Sequence, residues 1–454
     1  MLTIIGSLAL LLALLTLAVM AALFWRLELG LLGLIAFLPF ERIPSLDMAG
    51  FTVKINHIFG GLVLLVWLLT VLVGKRRIQP NPLVLPTLLF MASLALSLVT
   101  AEAGQRAVFS LAATFFSVSL GLLIPQLLVK TEQLPLLLKI LGATTLLAVV
   151  FGFYQFLGDL AGLPVSLTGL DPGYTKVVFG FPRIQAFSQE PLYFGNFLLL
   201  PFSLGIALLA LPKLPWRRPL LISALVLVAL AFIFTLSRGA FLGLAASLLV
   251  LLLILGKHLL KPKLIVIGLA TMLVVGLTTV GFLSIARPGA LTEFTSHVTV
   301  KDFGRGDSTV GRLSSWYQAV TIWQTSPWVG VGFGNFGPAS LGYPAQTPAH
   351  GWPIVNNQYL ELLAETGLIG TLTFVIFILY LLGRSCSLIV RQPRGTLLDA
   401  SLVGATAALI GILVQYNFFS TLYINPIWIT IGLLVALQNL VARIDKKGEA
   451  HEAS

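Results

Sequence analysis

Residues 218–259 read RPLLISALVLVALAFIFTLSRGAFLGLAASLLVLLLILGKHL. Two apolar runs, 219–236 and 240–255, flank the string TLSRGAF at 235–241, and each is long enough to enter a bilayer. Arg238 stands between them. A guanidinium cannot lose its charge, and at a membrane centre it costs roughly 2.5–3.5 kcal/mol. The reading that accommodates this is a helical hairpin whose turn surfaces at the membrane edge, where Arg238 meets something that wants a cation.

The same pattern recurs outward in both directions. Fifty-seven percent of the chain is apolar and ten percent charged. Apolar spans lie near 3–22, 27–40, 57–74, 83–100, 107–129, 134–157, 192–211, 219–236, 240–255, 264–284, 358–382, 397–417 and 426–441. Runs of this length predict an all-α, polytopic integral membrane bundle of 12–13 transmembrane helices, read as one domain over 1–454. The count turns on Arg26 and Glu28, which separate the first two runs. The apolar start lacks a basic leader and a small-residue cleavage site, so it reads as a retained helix. A single cysteine, Cys386, excludes an internal disulfide and a cysteine-built metal site.

Basic residues gather in alternate short connections: Lys75 to Arg77, Lys213 to Arg218, Lys257 to Lys263, Arg384 to Arg394, and Arg443 to Lys447. The positive-inside rule puts these in the cytoplasm, with 442–454 as a cytoplasmic tail. The net charge of +11 is then a topology signal with some attraction for anionic lipid, and it does not argue for nucleic acid. The opposite, external face receives 41–56, 101–106, 158–191, the turn at 237–239, the long loop 285–357 between the spans near 264–284 and 358–382, and 418–425. Arg183, Arg305 and Arg312 fall in these segments, on the same side as Arg238.

The long loop holds an amphipathic pattern, Leu313, Trp316, Tyr317, Val320 and Trp323, following Asp307 and Ser308, which predicts a helix on or near the membrane surface. The alternative is a lid packed on the helices below. In 158–191 the string FPRIQAFSQEPLYFGNF carries Arg183 and Glu190 up to a helix that begins with Pro191. An acid there also suits the helix dipole without any function. Gly332, Gly334 and Gly337 match dinucleotide-fingerprint spacing, but no strand precedes them and Pro338 follows, so they read as a glycine-rich turn. Glu361 and Glu365 share one face of the next helix with Asn357, and pairing with Arg238 or Arg312 is the plainer account of them.

The strings TLSRGAF, STVGRLSSW with Arg312, PWVGVGFGNF and NNQYLELLAETGLIG, in this order and topology, resemble the O-antigen ligase and O-antigen polymerase superfamily over about 180–382. The resemblance implies a multi-pass protein of the bacterial cytoplasmic (inner) membrane, a glycosyltransferase acting at its external face on a glycan carried by undecaprenyl pyrophosphate. Membrane lipid and the lipid-linked oligosaccharide are then its partners, with room for other polysaccharide-export components. In that family the arginine of the SRG string and the loop arginine serve the pyrophosphate, which maps to Arg238 and Arg312, with Arg183 as a third candidate. Fixed guanidiniums stabilise a leaving diphosphate without a metal. No metal-ligand spacing is evident in the chain, and no cofactor is expected.

One departure bears on mechanism. Ligases similar to this chain carry a histidine where the long loop enters the next helix, and here Asn356 stands in that position. An asparagine takes no proton near neutral pH, so His350 and Glu190 are the candidates for a general base. His57 and His258 lie at predicted helix edges and need no function, and His297 lies outside any matched string. The missing histidine favours a polymerase over a ligase that transfers to lipid A core or a protein. A flippase for the same lipid-linked sugar is the alternative of another class. It predicts ionisable groups spread through the membrane and inverted repeats, neither of which is evident.

Overall fold

The computed structural model describes residues 16–43, 45–48, 51–175, 181–262, 307–344, 351–391, 395–420 and 422–452, with isolated positions between them. Of the predicted span near 264–284 only isolated positions are described, and these are helical; Arg305, His297 and His350 lie outside the described residues.

Ten of the apolar runs become helices close to where they were expected. They are α3 (Ile55–Leu72), α4 (Val84–Leu96), α5 (Gly104–Leu127), α6 (Leu134–Leu160), α8 (Pro191–Leu209), α9 (Arg218–Phe234), α10 (Arg238–Leu259), α13 (Gln358–Arg391), α14 (Leu397–Gln415) and α15 (Asn425–Glu452). Among the described residues eight helices are long and apolar enough to cross a membrane, and three shorter apolar ones accompany them. The chain is an integral membrane protein with a helical bundle.

The start departs from expectation. The described part of the first run is α1 (Thr16–Trp25), and the second, read as a span over 27–40, is α2 (Glu28–Ala36). Nine residues at 1.5 Å each reach roughly 13 Å, less than half the hydrocarbon core. The expected tail from 442 continues α15 as helix to Glu452. The connection 41–56 adds two short strands, β1 (Ser45–Met48) and β2 (Phe51–Lys54), antiparallel with Ser45 opposite Lys54. A period-2 ribbon this short leaves no signal among the apolar runs around it.

Three helices form the centre: about four-fifths of the apolar windows of α8, α14 and α15 are buried, against 28% for α3 at the rim. Small residues let their backbones meet. A Cβ on Gly404 of α14 would stand 2.8 Å from the Leu204 Cα of α8, and one on Gly432 of α15 would stand 2.2 Å from the Gly121 carbonyl oxygen of α5. In lipid, where apolar surface alone does not drive helices together, this close backbone approach supplies the packing. Local chemistry sets the helix starts. Asn357 Oδ1 accepts from Tyr359 N and Leu360 N, each at 3.1 Å, to cap α13, and Thr396 with Asp399 forms a reciprocal capping pair at α14.

Inside α13 the helix breaks at Gly367 (φ 62°, ψ −161°), where a Cβ would lie 2.3 Å from the Trp328 carbonyl carbon. The remaining 368–391 spans roughly 36 Å as helix, enough to cross on its own. The amphipathic pattern of the long loop folds as α11 (Asp307–Thr325), followed by the short α12 (Phe336–Ser340). α11 docks on the start of α13: Trp316, Ala319 and Ile322 pack with Phe336, Val355, Leu360 and Ala364. Leu313 and Tyr317 of the predicted stripe stay exposed. The described part of the loop before α8 holds a four-residue helix, α7 (Val165–Thr168), and a 3-10 turn at Pro172–Tyr174.

Candidate functional site

The site lies at the end of the bundle opposite the basic connections, where α8 and α10 begin. The turn between α9 and α10 is tight, with Leu236 at φ 49°, a left-handed conformation that branched residues avoid. It delivers Arg238 as the first residue of α10, half-buried. Directly behind it, Gly239 is packed so closely that a Cβ would meet Phe418 Cβ at 2.9 Å and Leu192 Cδ1 at 3.1 Å. Gly243, one turn on, leaves 2.8 Å to the Gly411 carbonyl oxygen of α14. The glycines of RGAFLG therefore seat the arginine against α8 and the linker after α14.

Arg183 arrives from the loop before α8. Its Nε donates to the Thr235 carbonyl oxygen at 3.1 Å, three residues before Arg238, and the neighbouring Ile184 N donates to Phe234 O at 3.1 Å. The Arg183 guanidinium also lies 5.6 Å from the Tyr174 ring centroid. Arg312 reaches in from α11 with its guanidinium 5.9 Å from the centroid of Phe418, the ring packed against Gly239. The charges are near enough to act on one another: Arg312 feels Arg238 and Glu190, and Arg183 feels Glu190 and Arg312. Arg183, Arg238 and Arg312 are thus brought together with Glu190 in one cluster.

Glu190 precedes α8 in an extended conformation and makes no side-chain cap to it. Its carboxylate accepts a hydrogen bond from the Tyr174 hydroxyl. Burial pushes its pKa above the ordinary carboxylate range, outweighing Arg183, the Tyr174 bond and Arg312, which all favour the charged form. Arg312 and Arg183 are lowered from the usual guanidinium value, chiefly by burial and in part by neighbouring positive charge. Three clustered cations outnumber the two acidic groups that act there, Glu190 and Asp171, and leave positive charge for an anion to neutralise.

Glu190 also stands on the wall of a cavity of about 930 Å³. The sequence reading missed what faces it there: Glu41, Lys54 and Asn56, with His57 beside them. His57, read as an edge residue without function, lines this space, its ring edge-on to Phe116. Burial raises Glu41 to about 7, with Lys54 pulling the other way, and burial lowers Lys54. Nothing in the apolar pattern marks these residues, because 41–57 reaches the site only by folding back onto the loop before α8. Arg42 N donates to Phe187 O at 2.8 Å, Arg42 Nε to Ser188 O at 3.3 Å, and Gln189 Nε2 to Glu41 O at 3.2 Å.

The two carboxylates of α13 are engaged elsewhere. Glu365 accepts from Gly334 N at 2.8 Å and Phe336 N at 2.9 Å, and Glu361 accepts from Val355 N at 3.1 Å. The cation acting on both is Arg106 of α5, whose Nε donates to Gly334 O at 2.6 Å, and not Arg238 or Arg312 as expected. The glycine-rich turn is a bonded latch: Thr100 Oγ1 donates to Gly330 O at 2.8 Å, and Ala103 N to Asn335 Oδ1 at 2.9 Å. Asn356 is half-buried in the left-handed region at φ 57°, directly before the cap of α13. The cap residue Asn357 is tied by its N–H to Ser420 Oγ at 3.0 Å, so this segment adjoins the linker that carries Phe418. His258 lies in the last turn of α10, at the other end of the bundle.

The fold and this site define a polytopic helical membrane protein with a cluster of arginines beside a polar cavity. Residues 223–375, from α9 into α13, match the family model of O-antigen ligase, so the resemblance to that superfamily drawn from the motifs holds over this stretch. Comparison with curated proteins finds no match.

Proposed function

We propose that this protein is a glycosyltransferase of the cytoplasmic membrane that moves a glycan from undecaprenyl pyrophosphate at the external face, and that it acts as a surface-polysaccharide polymerase. The observation that carries this reading is the cluster of Arg183, Arg238 and Arg312 around the start of α10. A diphosphate gathers negative charge as its bond to the sugar breaks, and guanidiniums already in position stabilise that charge without reorganising. In the step itself an acceptor hydroxyl oxygen forms a bond to the anomeric carbon of the donor. The bond from that carbon to the phosphate oxygen breaks, and the lipid diphosphate leaves on the arginines. The hydroxyl proton passes to a base, for which Glu190 is the described candidate, carried into the cluster and onto the cavity wall at once. His350 is the other candidate and lies outside the described residues.

The polymerase reading rests on Asn356, which stands where ligases of the family place a histidine. A second reading, transfer to lipid A core or a protein, is favoured by the description of the matched family, O-antigen ligase. Purified protein in liposomes, given the lipid-linked repeat unit and a chelator, should release undecaprenyl pyrophosphate and lengthen the glycan. Release only when a lipid A core or protein acceptor is added would favour the ligase. A requirement for added divalent metal would contradict the arginine-based chemistry.

A further inference from the structure

We propose that the cavity beside the arginine cluster is a sugar-binding site, holding the acceptor end of a glycan through Asn56, Asn425 and Lys54. The proposal rests on the glycosyl-transfer reading above and assigns the half of the reaction that the arginines do not serve. Its warrant is a pair of unmatched amide atoms. Asn56 is 7% exposed and Asn425 3%, and both stand between the cavity and a small apolar pocket of about 10 Å³, lining each. Asn56 Oδ1 has no hydrogen-bond partner, and neither has Asn425 Nδ2. Ser117 Oγ lies 2.8 Å from Asn425 Oδ1, with the Tyr423 and Ala113 carbonyl oxygens sharing its one proton, and the amide nitrogen is the atom left over. One orphan is an acceptor and the other a donor. A hydroxyl is both at once, and a buried amide atom left unmatched destabilises the fold that holds it.

The rest of the lining suits the same ligand. The Glu41 carboxyl and the Lys54 ammonium offer charged partners to ring hydroxyls, while Tyr193 and Phe116 offer faces for the apolar side of a sugar ring. A volume of about 930 Å³ falls near the top of the range for small-ligand sites, about 300–1,000 Å³, and exceeds a single sugar ring several-fold. Glu190 belongs to both the cavity and the cluster, so a hydroxyl held here faces the carbon from which the diphosphate departs. Glu41, Lys54 and Asn56 lie outside the 223–375 stretch that matches the family model.

The test uses the full chain in detergent with two probes: inorganic pyrophosphate for the cluster, by calorimetry, and the disaccharides chitobiose, lactose and maltose for the cavity, by saturation-transfer NMR. At least one disaccharide should bind the unaltered protein. Asn56→Leu should weaken that binding about tenfold, the loss expected for one hydrogen bond, with pyrophosphate affinity unchanged. Arg312→Ala should do the reverse. Lys54→Met provides a half-buried second variant should Asn56→Leu not fold, with pyrophosphate binding as the check on folding. If no disaccharide binds, or if binding survives both cavity variants, the two amides are bridged by a buried water and the proposal falls. Loss of pyrophosphate binding in the unaltered protein would instead overturn the donor reading and leave the sugar site standing.

Discussion

The Arg312 guanidinium lies 5.9 Å from the Phe418 ring centroid, and Phe418 occupies the space that a side chain on Gly239 would need. The surface helix α11 is thereby held over the start of α10 by a cation on an aromatic face, a contact worth about 0.5–2 kcal/mol depending on its burial. Phe418→Ala should reduce transfer about 2- to 30-fold and, because the ring also packs on the hydrophobic core, lower the melting temperature. Gly239→Ala should act in the same direction by displacing Phe418, and overpacking should lower stability by about 1–3 kcal/mol as well. Transfer rates and thermal melts of the two variants measure these effects. Unaltered rates in both would show that the ring does not position Arg312.

Arg238→Ala and Arg312→Ala are each expected to lower transfer by about 100-fold or more, the usual loss when one preorganised donor to a developing oxyanion is removed. Lysine at either position keeps the charge but not the two-pronged geometry, and should restore only part of the rate. Release of undecaprenyl pyrophosphate gives the measurement, with membrane insertion checked separately. Full activity in either alanine variant would remove that arginine from the site.

Much of this arrangement is legible in the sequence, for an identifiable reason. A bilayer forces each spanning helix to announce itself as an apolar run, and the same pressure makes Arg238 conspicuous between two such runs. What stayed hidden depends on approach through space. Glu361 and Glu365 are spaced to share a face, yet whether their cation is Arg312 or Arg106 is decided by which connection folds over the start of α13. The cavity was harder still. Glu41 and Lys54 meet Glu190 only because Arg42 ties its segment to Phe187 and Ser188, contacts about 145 residues apart in the chain that no local periodicity encodes.

Glu365 supports a structural prediction. Its two oxygens each accept a backbone N–H of the glycine turn, from Gly334 and Phe336. In Glu365→Gln one oxygen becomes an amide nitrogen, so a donor would face a donor in a buried place. A loss of about 1–3 kcal/mol is expected, read as a lower melting temperature in detergent. Glu361→Gln keeps an oxygen for the Val355 N–H and meets in Ser420 a hydroxyl that can turn to accept from the amide, so it should lose less. An equal or larger loss at Glu361 would show that the turn is not held chiefly by Glu365.

Glu41 predicts how stability responds to pH. Its pKa in the folded protein is raised from 4.5 to about 7, because burial disfavours the carboxylate more than Lys54 favours it. Between those two values the folded state binds the proton more tightly than the unfolded chain does. Stability is therefore greatest below about pH 4.5 as far as this group is concerned, and declines as pH rises towards 7, by at most about 3 kcal/mol. Glu190, also raised by burial, contributes with the same sign. Melting temperatures measured from pH 5 to 7.5 for the unaltered protein and for Glu41→Gln isolate this group, and the slope of the unaltered protein should be the more negative of the two. A slope unchanged by that substitution would mean that Glu41 is ionised across the whole range and that Lys54, not burial, governs it.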